Sequence, residues 1–324
     1  MASNEIETLD PAATVEKLNK IAAGRALDRR HFITALGMTG AVAGAVGLMS
    51  GCNATSTPIA VTTAGAGQIN LLNFVLNLEY LQATFYSYLT LGTDLPATVT
   101  GGGTAAVGGS ATTQLVAGTP SVAMTQQIVD LLNEIYFDEL NHVIGLRSLL
   151  GSAAVPRPAI NLAAFGAITP TNALSIARLL EDVGVTTYAS AVAGLSTSNA
   201  TYAGQILGTE SFHSGALRLI SIQNPTIAAY LATPDGLDVP PADLGSPALE
   251  AAGPTASGGF FPTFGASAAG TTAGFALSRT TSQALSVLYG SVSTSTPNVV
   301  KLAASGTSSG GFFPSGVNGA ITTI

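Results

Sequence analysis

Two short motifs in this chain share a spacing suited to holding a cation, Glu139-x-x-His142 and Glu210-x-x-His213. Residues three apart on an α-helix project from the same face, so each motif offers a carboxylate and an imidazole to a common point. Two further glutamates, Glu79 and Glu181, stand in segments whose apolar residues recur at helical spacing, and each falls on the apolar stripe. Four carboxylates and two imidazoles are the complement that a pair of divalent ions requires. Anionic oxygens offset the charge, at least two carboxylates bridge, and one imidazole fills an outer position on each ion. The expected cofactor is two iron or manganese ions, and the chemistry open to it is redox.

Taken singly, a helical glutamate is usually solvated and a histidine is usually a surface or satisfied core residue. The distribution in this chain argues otherwise. After Cys52 there are six glutamates and two histidines, and four of those glutamates and both histidines lie on the apolar stripes. Burying a carboxylate without a partner costs on the order of several kcal/mol, so inward stripes demand a compensating cation. These segments contain no lysine, and Arg147, Arg178 and Arg218 stand away from the glutamate positions, which leaves metal. Tyr80, Tyr136, Tyr188 and Tyr202 read as bundle packing, with hydrogen bonding to the ligands or a redox-active phenol as the alternative. Asp138 and Asn141 flank the second-segment ligands, and either orient His142 or His213 or face solvent.

Four helices must carry these residues. In the first, Ile69, Leu72, Leu76, Glu79, Tyr80, Ala83 and Tyr86 have the spacing of one face. Residues 93–119 then break the pattern with Gly101-Gly102-Gly103 and Gly108-Gly109, and read as a long loop or a small hairpin. The second helix spans Ser121 to Leu150 with Ile128, Leu131, Ile135, Glu139, His142, Leu146 and Leu149 inward; Gly151 stops it, and Pro156 and Pro158 prevent a restart. The third begins near Thr171 in a Thr-Asn cap context, with Leu174, Ala177, Glu181, Gly184, Tyr188 and Ala191 on one side. After a Ser196-Thr197-Ser198-Asn199 turn, the fourth carries Tyr202, Ile206, Glu210, His213, Leu217 and Ile220. The expected fold is all-α, a four-helix bundle over residues 67–222. Residues 223–324 are rich in Pro and Gly and repeat one motif, Gly258-Gly259-Phe260-Phe261-Pro262 and Gly310-Gly311-Phe312-Phe313-Pro314. Between the copies, Thr281 to Tyr289 is the one good helix candidate. This stretch reads as an irregular extension packed on the bundle through its Phe side chains, a separate small domain being the alternative.

The chain is 47% hydrophobic and 9% charged, which provides for a large core and excludes a disordered chain. Its net charge is −7, and five of its 11 Lys and Arg precede residue 31, so no basic patch remains to grip nucleic acid. Asp28-Arg29-Arg30-His31-Phe32-Ile33-Thr34, followed by a Gly- and Ala-rich apolar run to Met49, is similar to a twin-arginine export signal, with Arg29 and Arg30 as the pair. The run ends in Leu48-Met49-Ser50-Gly51-Cys52, similar to a lipoprotein cleavage box with Cys52 as the lipidated residue; Met49 stands where such boxes usually carry Leu. An uncut N-terminal anchor is the other reading, and the run is short for a span. Residues 1–52 are then the signal and 53–66 a tether. The expected partners are the twin-arginine translocase and a membrane reached through a lipid anchor or the N-terminal segment. The expected location is the periplasm or cell envelope.

The segments Asn73-Phe74-Val75-Leu76-Asn77-Leu78-Glu79-Tyr80-Leu81, Asp138-Glu139-Leu140-Asn141-His142-Val143, Glu181-Asp182-Val183-Gly184-Val185 and Glu210-Ser211-Phe212-His213 resemble the ferritin-like domain family that includes plant desiccation-related proteins and many exported bacterial proteins. The Gly-Gly-Phe-Phe-Pro ending resembles its bacterial members. The resemblance covers roughly residues 65–320; it implies a ferritin-like bundle and the ligand set Glu79, Glu139, His142, Glu181, Glu210 and His213. The chain has no Cys-x-x-Cys pair, so the rubredoxin-type centre of rubrerythrins is absent, and Met124 is the one methionine after Cys52, which leaves little for a haem site. A tethered chain with a long extension also fits a closed storage shell poorly, and a homodimer is compatible with it. Three functions follow in order. The first is a peroxide- or oxygen-consuming oxidoreductase of stress protection. The second is a desiccation-protective envelope protein stapled by metal, and the third is metal storage.

Overall fold

Four long helices form the bundle: α1 (Ala66–Leu91), α2 (Gln126–Leu150), α3 (Ala173–Ala191) and α4 (Thr197–Gln223). They belong to a computed structural model that describes residues 65–109, 125–224, 231, 233–235, 278–295 and 298–324. Arg29, Arg30, Phe32, Cys52, residues 53–64 of the tether, the first turn expected of the second helix at 121–124 and the first Gly-Gly-Phe-Phe-Pro copy lie outside the described residues.

Local chemistry sets the helix ends. α2 stops at Gly151, whose φ of +56° is a conformation that L side chains rarely adopt. Asn172 precedes α3, but its side chain caps no helical N–H; its Oδ1 accepts from the Thr169 amide 2.8 Å away, and the helix starts at Ala173. α4 begins at Thr197, inside the stretch expected to be a turn, because a single 3₁₀ turn at Val192–Gly194 already reverses the chain. The 93–109 loop contains one helical turn, Ala97–Thr100, and among the described residues no hairpin. Arg157 holds this loop through two hydrogen bonds to the Asp94 carboxylate, at 2.5 and 2.8 Å, while Asp94 also accepts from the amides of Leu95 and Ala106.

α1 packs along α2 and α3 along α4, and contact between α1 and α3 joins the two pairs; α2 and α4 scarcely touch. The consequence is two kinds of helix. α2 buries one stripe, Ile128, Leu132, Ile135, Glu139, His142 and Leu146, as period 3.6 dictates, although Leu132 takes the buried place expected of Leu131. α1 is buried on every side from Leu72 to Thr90, and α3 from Ala173 to Tyr188. A helix buried all round must satisfy its polar side chains internally. On α1, the Asn73 amide donates to Ala153 O (2.9 Å) and its Oδ1 accepts from Val155 N (3.0 Å). Asn77 does the same with the backbone of Asn318, at 2.8 and 3.0 Å. Both asparagines therefore dock distant segments onto α1.

The second face of α3 is covered by the C-terminal segment. Arg279 N donates to Thr186 O (2.8 Å), and α5 (Thr281–Leu288), which starts on a capping box of Thr280 and Gln283, packs on α3. A two-residue hairpin follows, β1 (Ser291–Val292) antiparallel to β2 (Val300–Lys301), with Ser291 opposite Lys301. The second Gly-Gly-Phe-Phe-Pro copy then crosses the end of α5. Gly311 has φ +50°, and a Cβ there would lie 2.3 Å from Leu288 O, so only glycine lets the chain approach closely enough for Phe312 N to donate to that carbonyl at 2.9 Å. Phe312 and Phe313 are fully buried, contributing about 1.5–3 kcal/mol each. Phe312 lies 4.7 Å, centroid to centroid, from Phe165. Among the described residues no helix is long and apolar enough to cross a membrane.

Candidate metal centre

Glu79 on α1, Glu139 and His142 on α2, Glu181 on α3, and Glu210 and His213 on α4 meet in the middle of the bundle. All four glutamates and His213 are fully buried, and only the His142 side chain keeps any exposure, 11%. The six form two groups of four: Glu79, Glu139, His142 and Glu210; and Glu139, Glu181, Glu210 and His213. Within each group one donor atom per residue lies within 4.8 Å of the others, and Glu139 and Glu210 belong to both. Each imidazole turns Nδ1 inward. His142 Nδ1 lies 3.1 Å from Glu79, 3.4 Å from Glu139 and 3.5 Å from Glu210. His213 Nδ1 lies 3.0 Å from Glu139 and 3.2 Å from Glu181.

The surroundings hold these side chains in place. The Tyr188 hydroxyl donates to Glu79 Oε1, so this tyrosine binds a candidate ligand and is not bundle packing alone. Gln82 Nε2 donates to Glu210 Oε2 at 3.1 Å. Gly184 leaves room for the same carboxylate, since a Cβ there would lie 2.2 Å from Glu210 Oε2. Asp138 Oδ2 sits 3.3 Å from His213 Nε2, which decides the role of Asp138: it orients His213, while Asn141 is exposed. Among the other tyrosines, Tyr80 bonds Val155 O and receives Arg147. Tyr136 packs at 5.3 Å from Phe137, and Tyr202 lies against Gly145. The sequence places Tyr86 on the inward face of the first helix without a role at the site, and gives Gln82 and the Asp182 cluster none. Tyr86 stands seven residues after Glu79 as Tyr188 does after Glu181, and this repeated Glu-x₆-Tyr spacing was a signal for it.

The charge balance of the six residues is incomplete. Both oxygens of Glu139, Oε1 of Glu181 and Oε1 of Glu210 are buried and receive no well-directed hydrogen bond among the described residues, the imidazoles meeting Glu139 and Glu210 only as close ion-pair contacts. Without a cation, burial pushes the Glu79 carboxyl up to about 8 against the opposing His142 imidazole. Burial, reinforced by Glu139 and Glu181, drives Glu210 well above the carboxylate range, and burial with Glu139 raises Glu181. Against burial, the two imidazoles hold Glu139 below its ordinary value. Burial opposes charge on His142 and His213 as well, yet the carboxylates raise both imidazoles above theirs. Acceptor oxygens converging with too few well-directed donors, beside imidazole nitrogens aimed at the same points, fit a divalent cation of hard or borderline character. The arginines expected to stand off the site do so: Arg178 and Arg218 pair with Asp182, and Arg147 with Tyr80. The buried carboxylate and histidine cluster is thus compatible with a metal site.

Comparison with curated proteins returns no match. Comparison with known families matches residues 67–223 to the ferritin-like domain, and with the helical bundle built around this cluster that stretch of the chain is a ferritin-like domain.

Proposed function

We propose that the domain binds two iron or manganese ions and uses them to consume peroxide or oxygen outside the cytoplasm. The observation that carries this reading is the sharing of Glu139 and Glu210 between two groups that each add their own glutamate and histidine. In that arrangement Glu79 and His142 would hold one ion and Glu181 and His213 the other, and Glu139 and Glu210 would serve both. Bound iron or manganese supplies the electron exchange with the oxidant. The chain supplies position and protons: Tyr188 keeps a proton at Glu79 Oε1, Gln82 restrains Glu210, and Asp138 keeps His213 turned with Nδ1 inward. Elemental analysis of the native protein should find two ions per chain, and the loaded protein should decompose peroxide or oxidise ferrous iron. A fully loaded sample inert in both assays removes the redox role, and more than two ions per chain points to storage.

The closure of the site favours a second reading, in which the ions staple a protective envelope protein. Five of the six side chains have no exposure, which suits a structural site. Its signature is a large loss of thermal stability on chelation without turnover. Under either reading, the Arg29-Arg30 signal directs the folded, metal-loaded chain to the twin-arginine translocase, and lipid on Cys52 tethers it. Replacing both arginines by lysine should retain the protein in the cytoplasm, and Cys52→Ala should abolish labelling by radioactive palmitate.

A further inference from the structure

We propose, resting on the two-ion reading above, that Asp182 is a positioning residue for one half of the centre. It fixes Glu181 against His213, so the ion on that side binds first and more tightly than the ion held by Glu79 and His142. Asp182 directly follows Glu181, and Ser214 directly follows His213. Consecutive helical residues point about 100° apart, so the inward ligands carry neighbours that sit where α3 meets α4. There the Ser214 hydroxyl donates to Asp182 Oδ1, Arg218 donates to both carboxylate oxygens at 3.0 and 2.7 Å, and Arg178 donates to Oδ2. One carboxylate thus ties α3 to α4 one residue away from each ligand.

The tie extends outward. Thr186 Oγ1 donates to Asp182 O (2.6 Å) and receives Arg279 at 2.9 Å; Arg279 in turn reaches Asp235 (2.9 Å) and Thr233 (3.0 Å), while Arg178 bonds Leu231 O. Every side chain of the inner part, Arg178, Asp182, Thr186, Ser214, Arg218 and Arg279, is buried. Multiple charge-assisted hydrogen bonds at a buried carboxylate permit little rotation of either helix. The other half is built differently. The residues after Glu79 and His142 are Tyr80 and Val143, and Arg147 donates to the Tyr80 hydroxyl five residues beyond His142. His142 aside, Glu79 itself is held by the Tyr188 hydroxyl, with no charged cluster tying α1 to α2 beside the ligands among the described residues. Asp138 further restrains His213, whose side chain is fully buried, whereas His142 is 11% exposed. Ligands already held in place lose less freedom when an ion binds, which raises affinity on that side.

The test is calorimetric titration of the chelated full chain with Co(II) alone, on the natural sequence and on His213→Ala, His142→Ala, Asp182→Asn and Ser214→Ala, with circular dichroism to confirm folding. The natural sequence should bind one ion at least tenfold more tightly than the second. His213→Ala should remove the tight step and His142→Ala the weak one. Asp182→Asn should weaken the tight step at least tenfold and leave the weak step unchanged. Ser214→Ala, which retains both arginines on Asp182, should weaken the same step a few-fold, so the inference stays testable if Asp182→Asn does not fold. A merely structural Asp182 would lower thermal stability, or both affinities together, and that result overturns the proposal. Two ions of equal affinity in a protein that still turns over peroxide overturn this inference alone; a chain that binds no Co(II) overturns the two-ion reading with it.

Discussion

Two clusters of buried charge lie within one turn of each other on α3, and they are solved in opposite ways. Around Asp182, donors saturate the carboxylate: two guanidinium groups and a hydroxyl reach it, and its pKa is lowered although burial acts to raise it. Around Glu139, Glu181 and Glu210, four buried oxygens receive no well-directed hydrogen bond among the described residues, and the carboxyls of Glu79, Glu181 and Glu210 are driven up. The first cluster is complete with protein groups alone. The second is left to be neutralised by protons or by a cation, which is what makes it compatible with a metal site.

The comparison breaks most sharply under one-atom changes that delete a charge and keep the shape. Asp182→Asn leaves two buried guanidinium groups short of a counter-charge and should cost about 3–5 kcal/mol, whether or not metal is present. Glu210→Gln mimics the protonated form that Glu210 adopts without a cation, so in chelated protein its effect should stay below about 1 kcal/mol, within the range of substitutions that disturb no buried pair. Denaturant titrations of both variants, loaded and chelated, give the answer. Equal costs in chelated protein would show that the two clusters are of the same kind.

Acidity separates the clusters next. Groups whose folded pKa is raised contribute stability that is full below their unfolded value and fades as pH climbs through the folded one. Glu79, near 4.5 when unfolded and about 8 in the fold, should therefore make chelated protein less stable as pH rises from about 5 to 8. Glu181 and Glu210 act with the same sign, and Glu139, held low, is ionised across that window in both states. Asp182 is likewise ionised throughout, so the Arg cluster adds no slope. Metal reverses the trend, because ions compete with protons for the same oxygens and bind better as pH rises. Melting temperatures of chelated and loaded protein should diverge with pH; parallel curves would argue against protons and metal sharing these carboxylates.

Gly184→Ala sharpens the comparison at one oxygen. The new methyl would meet Glu210 Oε2 at 2.2 Å and Gln82 Nε2 at 3.0 Å, so the carboxylate must swing away. Metal affinity should fall about tenfold, equivalent to about 1.4 kcal/mol, with a smaller change in the stability of chelated protein. Unchanged affinity would mean that Glu210 does not need its present rotamer to bind.

Much of this was legible in the chain, for identifiable reasons. Glutamate and histidine are so scarce after Cys52 that their coincidence with apolar stripes exposed the cluster, and Glu-x-x-His spacing set which residues face together. What stayed hidden was non-local. Helical period assigns one buried face, yet α1 and α3 are buried on every side, because residues 153–155, Asn318 and Arg279 cover faces the local pattern leaves for solvent. Asn73 and Asn77 fall outside the inward stripe, and their burial depends on distant backbone partners. Arg178 and Asp182 do carry a local signal, an i, i+4 pair on one helix, but the partners that complete the cluster, Ser214 and Arg218, lie on another helix.

The last contrast lies with the paired tyrosines Tyr86 and Tyr188, each seven residues after a glutamate. Both are fully buried, and burial with nearby carboxylates raises both phenols well above their ordinary range. They differ in one respect. Tyr188 donates to Glu79, while the Tyr86 hydroxyl stands beside Glu181 without a well-directed hydrogen bond among the described residues. Tyr188→Phe removes a hydrogen bond to a ligand and should cost about 1.5–3 kcal/mol where Glu79 is ionised. It should also lower affinity on the Glu79 side a few-fold. Tyr86→Phe removes a hydroxyl whose contact with Glu181 is poorly directed, so its cost should stay below about 1 kcal/mol. Thermal melts of the two variants distinguish the cases. Equal losses would mean that the Tyr86 hydroxyl finds a partner when the ions are bound, which would make the two halves of the centre more alike than their described contacts.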